Sequence, residues 1–184
     1  AAATEDRRMT ARWRRRAAPV AAMLAGLGLI AVPTVAGWQP RVIWNASASV
    51  PLGLYAATPA EAIAHGDLVL VRPPETLAAF LAERGYVARG VPLLKHVAAL
   101  PPQVVCAEGT AITVDGETVA HRRMADRLGR TLPTWHDCLR LEASEVFLLN
   151  PAEPDSLDGR YFGPLLRTSI VARLRPVWIA ERRP

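Results

Sequence analysis

Charged side chains are absent from one long stretch near the beginning of the chain. Residues 17–38 form a run of 22 uncharged residues, most of them apolar. As a helix the run would be about 33 Å long at 1.5 Å per residue, which matches the hydrocarbon thickness of a bilayer, roughly 30 Å. The pattern therefore predicts a transmembrane helix over residues 17–38.

Two other interpretations of this run stay open. A cleavable secretory signal has a shorter apolar core, of about 7–15 residues, but Thr34-Val35-Ala36 has the small residues of a cleavage site. A buried helix of a soluble protein is the other interpretation, and the lack of a polar stripe at helical spacing argues against it.

From residue 39 onward, short β-rich runs alternate with Pro, Gly and Asp, a pattern typical of strands and turns. The dipeptide Asp115-Gly116 between two apolar runs predicts a hairpin. One helix is predicted over residues 74–84, where apolar side chains recur at helical spacing. The predicted strands cover residues 67–71, 91–100, 111–114, 117–119, 145–149 and 169–179. We therefore expect residues 39–184 to form a mainly β domain.

The basic residues are unevenly distributed. Of the 22, all are Arg except Lys95, and six of the Arg lie in residues 1–16. By the positive-inside rule, this Arg-rich segment is expected in the cytoplasm and residues 39–184 on the other side of the membrane. Because the rest of the chain is nearly neutral, it lacks the basic face that a nucleic-acid partner would require.

The chain has two cysteines, Cys106 and Cys138. Outside the cytoplasm such a pair favours a disulfide, and two free buried thiols are the alternative. No His lies close enough in sequence to either Cys for a zinc signature, so neither a metal nor another cofactor is expected.

Three segments combine residue types that can support chemistry. In the first, NASASVPLGLY at residues 45–55, Ser47 and Ser49 precede Pro51 and Gly53, which favour an open turn. A serine in such a turn is a candidate nucleophile, although most Ser-rich loops are only loops.

The second segment contains Lys95 in the predicted strand over residues 91–100. At strand periodicity its neighbours on the same face, Leu93, Val97 and Ala99, are apolar, whereas His96 points to the opposite face. Burial lowers the pKa of a lysine, so that the neutral amine can act as a base, which an arginine cannot do. An edge-strand lysine that reaches solvent is the alternative.

The third segment is DSLDGRYFGP at residues 155–164, with Asp158 and Arg160 in a Gly-containing turn. An Asp-Gly turn with a plain surface ion pair would explain these residues equally well.

Taken together and in this order, the membrane segment, NASASVPLGLY, LLKHVAAL and SLDGRYFGP resemble the conjugative-transfer (TraF-type) branch of the type I signal peptidases. The resemblance covers residues 40–179. It implies a signal-peptidase-like β domain in which Ser49 is the nucleophile, Lys95 the general base and Asp158 an acidic site residue of unassigned role. It also implies that Ser47, with the backbone N–H of Ser49, binds the oxyanion.

One segment departs from the family pattern. Family members usually read Leu-Pro-Gly-Asp after the lysine strand, and this chain has Leu100-Pro101-Pro102-Gln103. The geometry of that turn is therefore not predicted by the resemblance.

The function implied is that of a single-pass serine endopeptidase of the bacterial inner membrane, with a periplasmic catalytic domain that processes exported precursors. For the conjugative branch the precursor is a pilin, and cyclisation of the pilin is an alternative to hydrolysis. Two other hypotheses remain: a general signal peptidase of secreted proteins, and a non-catalytic subunit that binds other components of a secretion or conjugation apparatus.

Overall fold

The computed structural model describes residues 19–28 and 41–180. The chain divides after Pro40 into two units. In the first unit, residues 19–28 form helix α1. Among the described residues, no helix has the length and apolar character needed to cross a bilayer. The transmembrane helix expected over residues 17–38 and the cytoplasmic segment over residues 1–16 fall largely outside the described residues and stay predictions.

The described part of the second unit is mainly β, which confirms the predicted fold class. Two short helices interrupt the strands. In chain order the elements are β1 Val42–Asn45, β2 Gly53–Thr58, β3 Leu68–Val71, α2 Glu75–Glu83, β4 Leu93–Ala99, β5 Val104–Glu108, β6 Ala111–Val114, β7 Glu117–His121, β8 Asp137–Arg140, β9 Glu145–Leu149, α3 Gly159–Phe162, β10 Leu165–Leu166 and β11 Ile170–Ile179.

The strands form two antiparallel sheets. The larger has seven strands in the order β1-β2-β11-β3-β4-β9-β10, and the smaller has four in the order β7-β6-β5-β8. Strand β4 lies between β3 and β9, with Lys95 directly opposite Val69 of β3. The candidate base is therefore on an inner strand of the larger sheet, where neighbouring strands cover both of its edges.

The burial of the strands explains which of them could be predicted from the sequence. All four residues of β3 are buried, and the last four of β9 are too. Val69, Val71 and Val97 pack with Val146 and Leu148 in one apolar cluster beside the Lys95 strand. A second cluster joins β9 to the smaller sheet through Phe147 and its neighbours. Continuous burial of this kind produces the apolar runs from which β3, β4 and β9 were predicted.

The predicted hairpin is present between β6 and β7. Asp115 and Gly116 both have positive φ, 50° and 87°, as the central residues of a two-residue turn of this kind require. In the smaller sheet, Cys106 of β5 lies opposite Cys138 of β8, and the two form a disulfide. The bond fastens an edge strand whose residues are all exposed.

The turn that departs from the family pattern is closed by side-chain hydrogen bonds. The backbone N–H of Leu100 donates to Oε1 of Gln103 at 3.0 Å, and the N–H of Gln103 donates to the carbonyl of Leu100 at 3.0 Å. Gln103 Nε2 also donates to Asp115 Oδ2. Gln103 thus ties this turn to the β6–β7 hairpin.

Candidate active site

The serine turn between β1 and β2 is built around one buried amide. Asn45 ends β1, and its Nδ2 donates to the carbonyls of Ser47, Val50 and Pro51 at 3.0, 3.0 and 3.1 Å. Its Oδ1 accepts from the N–H and the hydroxyl of Ser47 at 3.0 and 2.8 Å. Because a single side chain satisfies five backbone and hydroxyl groups, the turn has a defined shape without regular structure.

Two further contacts fix this turn on the larger sheet. The hydroxyl of buried Tyr55 donates to the carbonyl of Pro51 at 2.6 Å, and burial raises the pKa of Tyr55, so the hydroxyl stays a donor. At Gly53 a Cβ would lie 2.2 Å from the backbone oxygen of Trp178, so only glycine allows β11 to approach β2 this closely. Tyr55 and Gly53, which belong to the family pattern, are therefore also needed to pack this turn against the sheet.

The two serines of the turn are hydrogen-bonded to each other. Ser49 Oγ lies 3.2 Å from Ser47 Oγ. The one hydroxyl hydrogen of Ser47 is directed to the amide oxygen of Asn45, so Ser49 is the donor of this pair. Ser49 is half-buried, and Ser47 is exposed. Ser47 would have to turn its hydroxyl away from Asn45 to donate to an oxyanion.

Lys95 is buried, with a residual exposure of 5%. Its Nζ donates to Ser156 Oγ at 2.7 Å. Burial lowers the pKa of Lys95 to about 8; the nearby charge of Asp158 acts in the opposite direction, and that of Arg160 lowers the pKa further. The side chain is therefore on an inner face of the sheet, as its strand periodicity predicted, and does not reach solvent.

Ser156 is the site residue that the sequence reasoning missed. It is buried, it accepts the hydrogen bond of Lys95, and it lines the same cavity as Ser49. Within the described residues, Lys95 and Ser49 have no direct hydrogen bond; Ser156 contacts Lys95 and lines a cavity that Ser49 also lines. Its position two residues before Asp158, in the quoted segment SLDGRYFGP, was the available signal.

Asp158 contacts Arg160 rather than Lys95. Arg160 donates through Nε and a terminal nitrogen to the two carboxylate oxygens at 2.9 and 2.8 Å, and both side chains are almost fully buried. Asp158 also accepts from the backbone N–H of Asn150 at 2.9 Å. The influence of Asp158 on Lys95 is therefore through charge.

Arg160 extends this ion pair to the segment that carries Ser156. Its terminal nitrogens donate to the carbonyls of Asn150, Glu153 and Pro154 at 2.9, 2.8 and 3.3 Å. The segment between β9 and α3 thus wraps around one guanidinium. This arrangement holds the Ser156 hydroxyl where Lys95 reaches it.

Two cavities meet at Ser49. The first has a volume of about 450 Å³ and is here called the charged cavity. It is lined by Ser156 and Tyr161, and one wall is formed by residues 84–86 and 123–132. The charges of that wall are paired: Arg130 contacts Asp126, while Arg123 and Arg127 contact Asp155. The second, of about 580 Å³ and here called the apolar cavity, is lined by residues including Val50, His65, His96, Val97 and Leu149.

The site combines a half-buried serine hydroxyl that borders both cavities with a buried lysine whose pKa is lowered. In the part of the chain that the structure describes, no group of three or more His, Cys, Asp and Glu side chains is placed to hold a metal ion. The chemistry that these residues can support is acyl transfer through the serine hydroxyl.

A mainly β domain with a serine turn and a buried lysine of lowered pKa agrees with the family resemblance found in the sequence. The chain belongs to the signal peptidase family, peptidase S26, whose family model matches residues 14–179. The predicted family resemblance is thus confirmed.

The relatives belong to the conjugative branch. The chain is 35% identical over 171 residues to a plasmid transfer protein TraF of Escherichia coli, covering 87% of this chain and 90% of that protein. It is 33% identical to a probable conjugal transfer protein TraF of Sinorhizobium fredii, covering 89% of this chain and 92% of that protein. Among solved structures, signal peptidase I of Enterococcus faecalis is similar with a TM-score of 0.37 and 17% identity, covering 62% of this chain and 98% of that one.

Proposed function

We propose that this protein is a membrane-anchored serine endopeptidase that processes an exported precursor, with Ser49 as nucleophile and Lys95 as base. The observation that carries the proposal is the buried amine of Lys95, whose hydrogen-bond partner Ser156 lines the same cavity as Ser49. A lysine whose pKa is lowered to about 8 is partly neutral near neutral pH and can accept a proton.

In the first half of the reaction, Ser49 attacks the peptide carbonyl while its proton passes to Lys95. The backbone N–H of Ser49 and the hydroxyl of Ser47 then donate to the oxyanion, once Ser47 has turned from Asn45. Lys95 gives the proton to the departing amine, and an acyl-enzyme ester on Ser49 results. Ser156 keeps the Lys95 amine on the side of the cavity where these transfers take place.

In the second half, water or an amine attacks the ester. Water gives a linear product, whereas the amino terminus of the same chain gives a cyclic one. The similarity to TraF proteins named for plasmid and conjugal transfer supports a pilin of a conjugation apparatus as the substrate and the components of that apparatus as partners. Exchange of an ester for an amide requires no nucleotide or metal cofactor.

We also propose a location in the bacterial inner membrane, with the catalytic domain in the periplasm. The uncharged run over residues 17–38 and the Arg-rich residues before it support the anchor and its orientation. The disulfide between Cys106 and Cys138 supports an oxidising compartment for the β domain.

The test is incubation of the purified full chain with a candidate pilin precursor, followed by mass spectrometry of the product. We expect Ser49→Ala and Lys95→Arg to abolish processing, because the first lacks the nucleophile and the second keeps the charge but cannot act as a base. Ser144→Ala, an exposed serine on the same domain, is the matched control and should process normally. A product lighter than the linear peptide by one water would indicate cyclisation.

The names of the relatives, which describe transfer proteins, favour one other candidate: a subunit that binds precursors without cutting them. Normal pilin maturation in cells that carry Ser49→Ala would support that candidate and contradict the peptidase. Processing of unrelated secreted precursors as efficiently as pilin would instead indicate a general signal peptidase.

A further inference from the structure

The residue after Lys95 faces the other cavity of the site. His96 is next to Lys95 on β4, so the two side chains point to opposite faces of the strand. Its ring lines the apolar cavity, which Ser49 also lines. Ser49 therefore lines both the charged cavity, with Ser156, and the apolar cavity, with His96.

The hydrogen bond of His96 determines which ring nitrogen is free to accept a proton. Nδ1 lies 3.2 Å from the carbonyl oxygen of Gly66. A carbonyl oxygen can only accept, so Nδ1 carries the hydrogen of the neutral ring and Nε2 has the lone pair. The neutral imidazole is thus held as a base at Nε2.

The surroundings of His96 contain few other ionisable groups. In the apolar cavity these are His65 and Glu153, and Lys95 lies on the far side of the strand. The residues opposite His96 on β3 and β9, Leu68 and Leu149, are apolar. Asp67, which directly precedes β3, forms an ion pair with Arg173 of β11 at 3.6 Å.

Attack by an amine that starts as an ammonium releases one more proton than attack by water does. An α-amino group has an ordinary pKa of about 8 and is mostly an ammonium at neutral pH. Two protons must leave that ammonium before the amide forms. One of them restores the hydroxyl of Ser49 by way of Lys95, and the other passes to solvent before the amine binds or to a second base in the site.

We propose that His96 is that second base, and that the attacking amine enters through the apolar cavity. The amine loses one proton to His96 Nε2, and its nitrogen bonds to the acyl carbon. The bond between that carbon and Ser49 Oγ breaks, and the oxygen receives the second amine proton through Lys95. The products are an amide, the free serine and a protonated His96, which returns its proton to solvent. This inference rests on the proposed acyl-enzyme at Ser49.

The test uses the purified full chain and a simple acyl donor, the p-nitrophenyl ester of N-acetylalanine. Intact-mass spectrometry reports the acyl group on Ser49, and chromatography at pH 7 reports the partition of that acyl group between water and an added amine. Two amines are compared: alaninamide, which is largely an ammonium at pH 7, and trifluoroethylamine, which is already uncharged. The variants are His96→Gln and, as a matched control, His121→Gln, an exposed histidine that lines neither cavity.

We expect His96→Gln to form the acyl-enzyme at the wild-type rate and to lose aminolysis by alaninamide by a factor of about 10², the lower end of the range typical of a general base. Aminolysis by trifluoroethylamine should be unchanged, because that amine has one proton fewer to lose, and this reaction also shows that the variant is folded. His121→Gln should match the wild type with both amines. Equal losses with both amines, or no loss with either, would overturn the role of His96. A wild-type protein that forms no acyl group on Ser49 would instead refute the proposed function.

Discussion

A lysine and an arginine differ most where water is absent. An arginine keeps its charge at any depth, whereas a buried lysine can give up its proton at a pH near neutral. In this chain the one lysine among 22 basic residues is the buried Lys95, and the other basic positions are arginines. Burial alone does not explain the choice of residue at position 95, since Arg122 and Arg160 are buried arginines; of these buried basic side chains, only that of Lys95 can lose its proton near neutral pH.

The pKa of Lys95 has a consequence for stability. In the unfolded chain the amine titrates near 10.5, and in the folded protein near 8. Between these pH values the unfolded chain binds more protons, so the free energy of unfolding rises with pH from about 8 to 10.5 and lacks this contribution below pH 8. At pH 7 the free energy of unfolding is therefore about 3 kcal/mol lower than it would be if Lys95 kept its ordinary pKa in the folded protein.

We therefore expect Lys95→Met to abolish activity and to raise the free energy of unfolding at pH 7 by about 1–3 kcal/mol, because it fills the same space without a buried amine. The advantage over the wild type should disappear at pH 10.5. Urea unfolding of both proteins at the two pH values is the measurement. A difference between the proteins that is the same at pH 7 and pH 10.5 would mean that the amine titrates normally.

Ser156 permits a second test at the level of one residue. Ser156→Ala removes the oxygen to which Lys95 donates, and we expect kcat to fall by about 10²-fold because the base is no longer positioned. Ser156→Thr keeps the hydroxyl and should recover most of the activity. If the alanine variant and the threonine variant were equally impaired, loss of packing would explain both.

Among the elements, the segment between β9 and α3 depends most on polar contacts. Arg160 has a 1% residual exposure, and its contacts to Asp158 and to three backbone carbonyls replace regular secondary structure there. Removing one partner of a buried pair leaves the other charge uncompensated, which is costly, whereas an exposed pair contributes little.

The chain contains both kinds of pair, so each can serve as the control of the other. We expect Asp158→Asn to lower the free energy of unfolding by about 3–5 kcal/mol and Glu75→Gln, whose exposed carboxylate lies 3.5 Å from Arg89, by less than about 1 kcal/mol. Thermal and urea unfolding measure both changes. Similar small losses for the two variants would show that the Asp158 pair is solvated in the working protein.

The elements also explain which parts of the fold the sequence could predict. β3 and β9 are buried along most of their length and therefore appear as apolar runs. β1 and β8 lie at sheet edges and are largely exposed, so their composition resembles that of a loop. β8 in addition pairs with β5, about 30 residues earlier in the chain, and a local sequence pattern carries no information about that pairing.

The same reasoning applies to the candidate site. Ser49 was predicted as the nucleophile from the family resemblance, and Lys95 as the base from residue type, strand periodicity and the same resemblance. Ser156 is an ordinary serine until the chain between β9 and α3 folds around Arg160 and brings it to Lys95, 61 residues away in sequence. The contribution of Asp158 was also hidden, because its partners are set by the tertiary fold rather than by spacing.

At the scale of the whole domain, one face of the larger sheet exposes two tryptophans to solvent. Trp44 of β1 and Trp178 of β11 are stacked with ring centroids 6.0 Å apart, although 60% and 55% of their surfaces are exposed. Val42, two residues before Trp44 on β1, is exposed on the same face. Tryptophan is enriched where proteins meet the polar boundary of a bilayer, and Trp44 directly precedes Asn45, which builds the serine turn. Contact of this face with lipid would place Ser49 close to a precursor that is still in the membrane.

The final prediction is that these two tryptophans contact lipid when the full chain is reconstituted in vesicles. We expect brominated acyl chains to quench a substantial part of the tryptophan fluorescence, and Trp44→Tyr with Trp178→Tyr to remove much of that part. Trp135→Tyr is the matched control, because Trp135 packs on Phe147 and donates to the carbonyl of Gly159 inside the domain. In the same vesicles, Trp44→Ser with Trp178→Ser should slow cleavage of a membrane-embedded precursor severalfold and leave hydrolysis of a small soluble ester unchanged. Quenching that is insensitive to the Trp44 and Trp178 replacements would mean that this face lies away from the membrane.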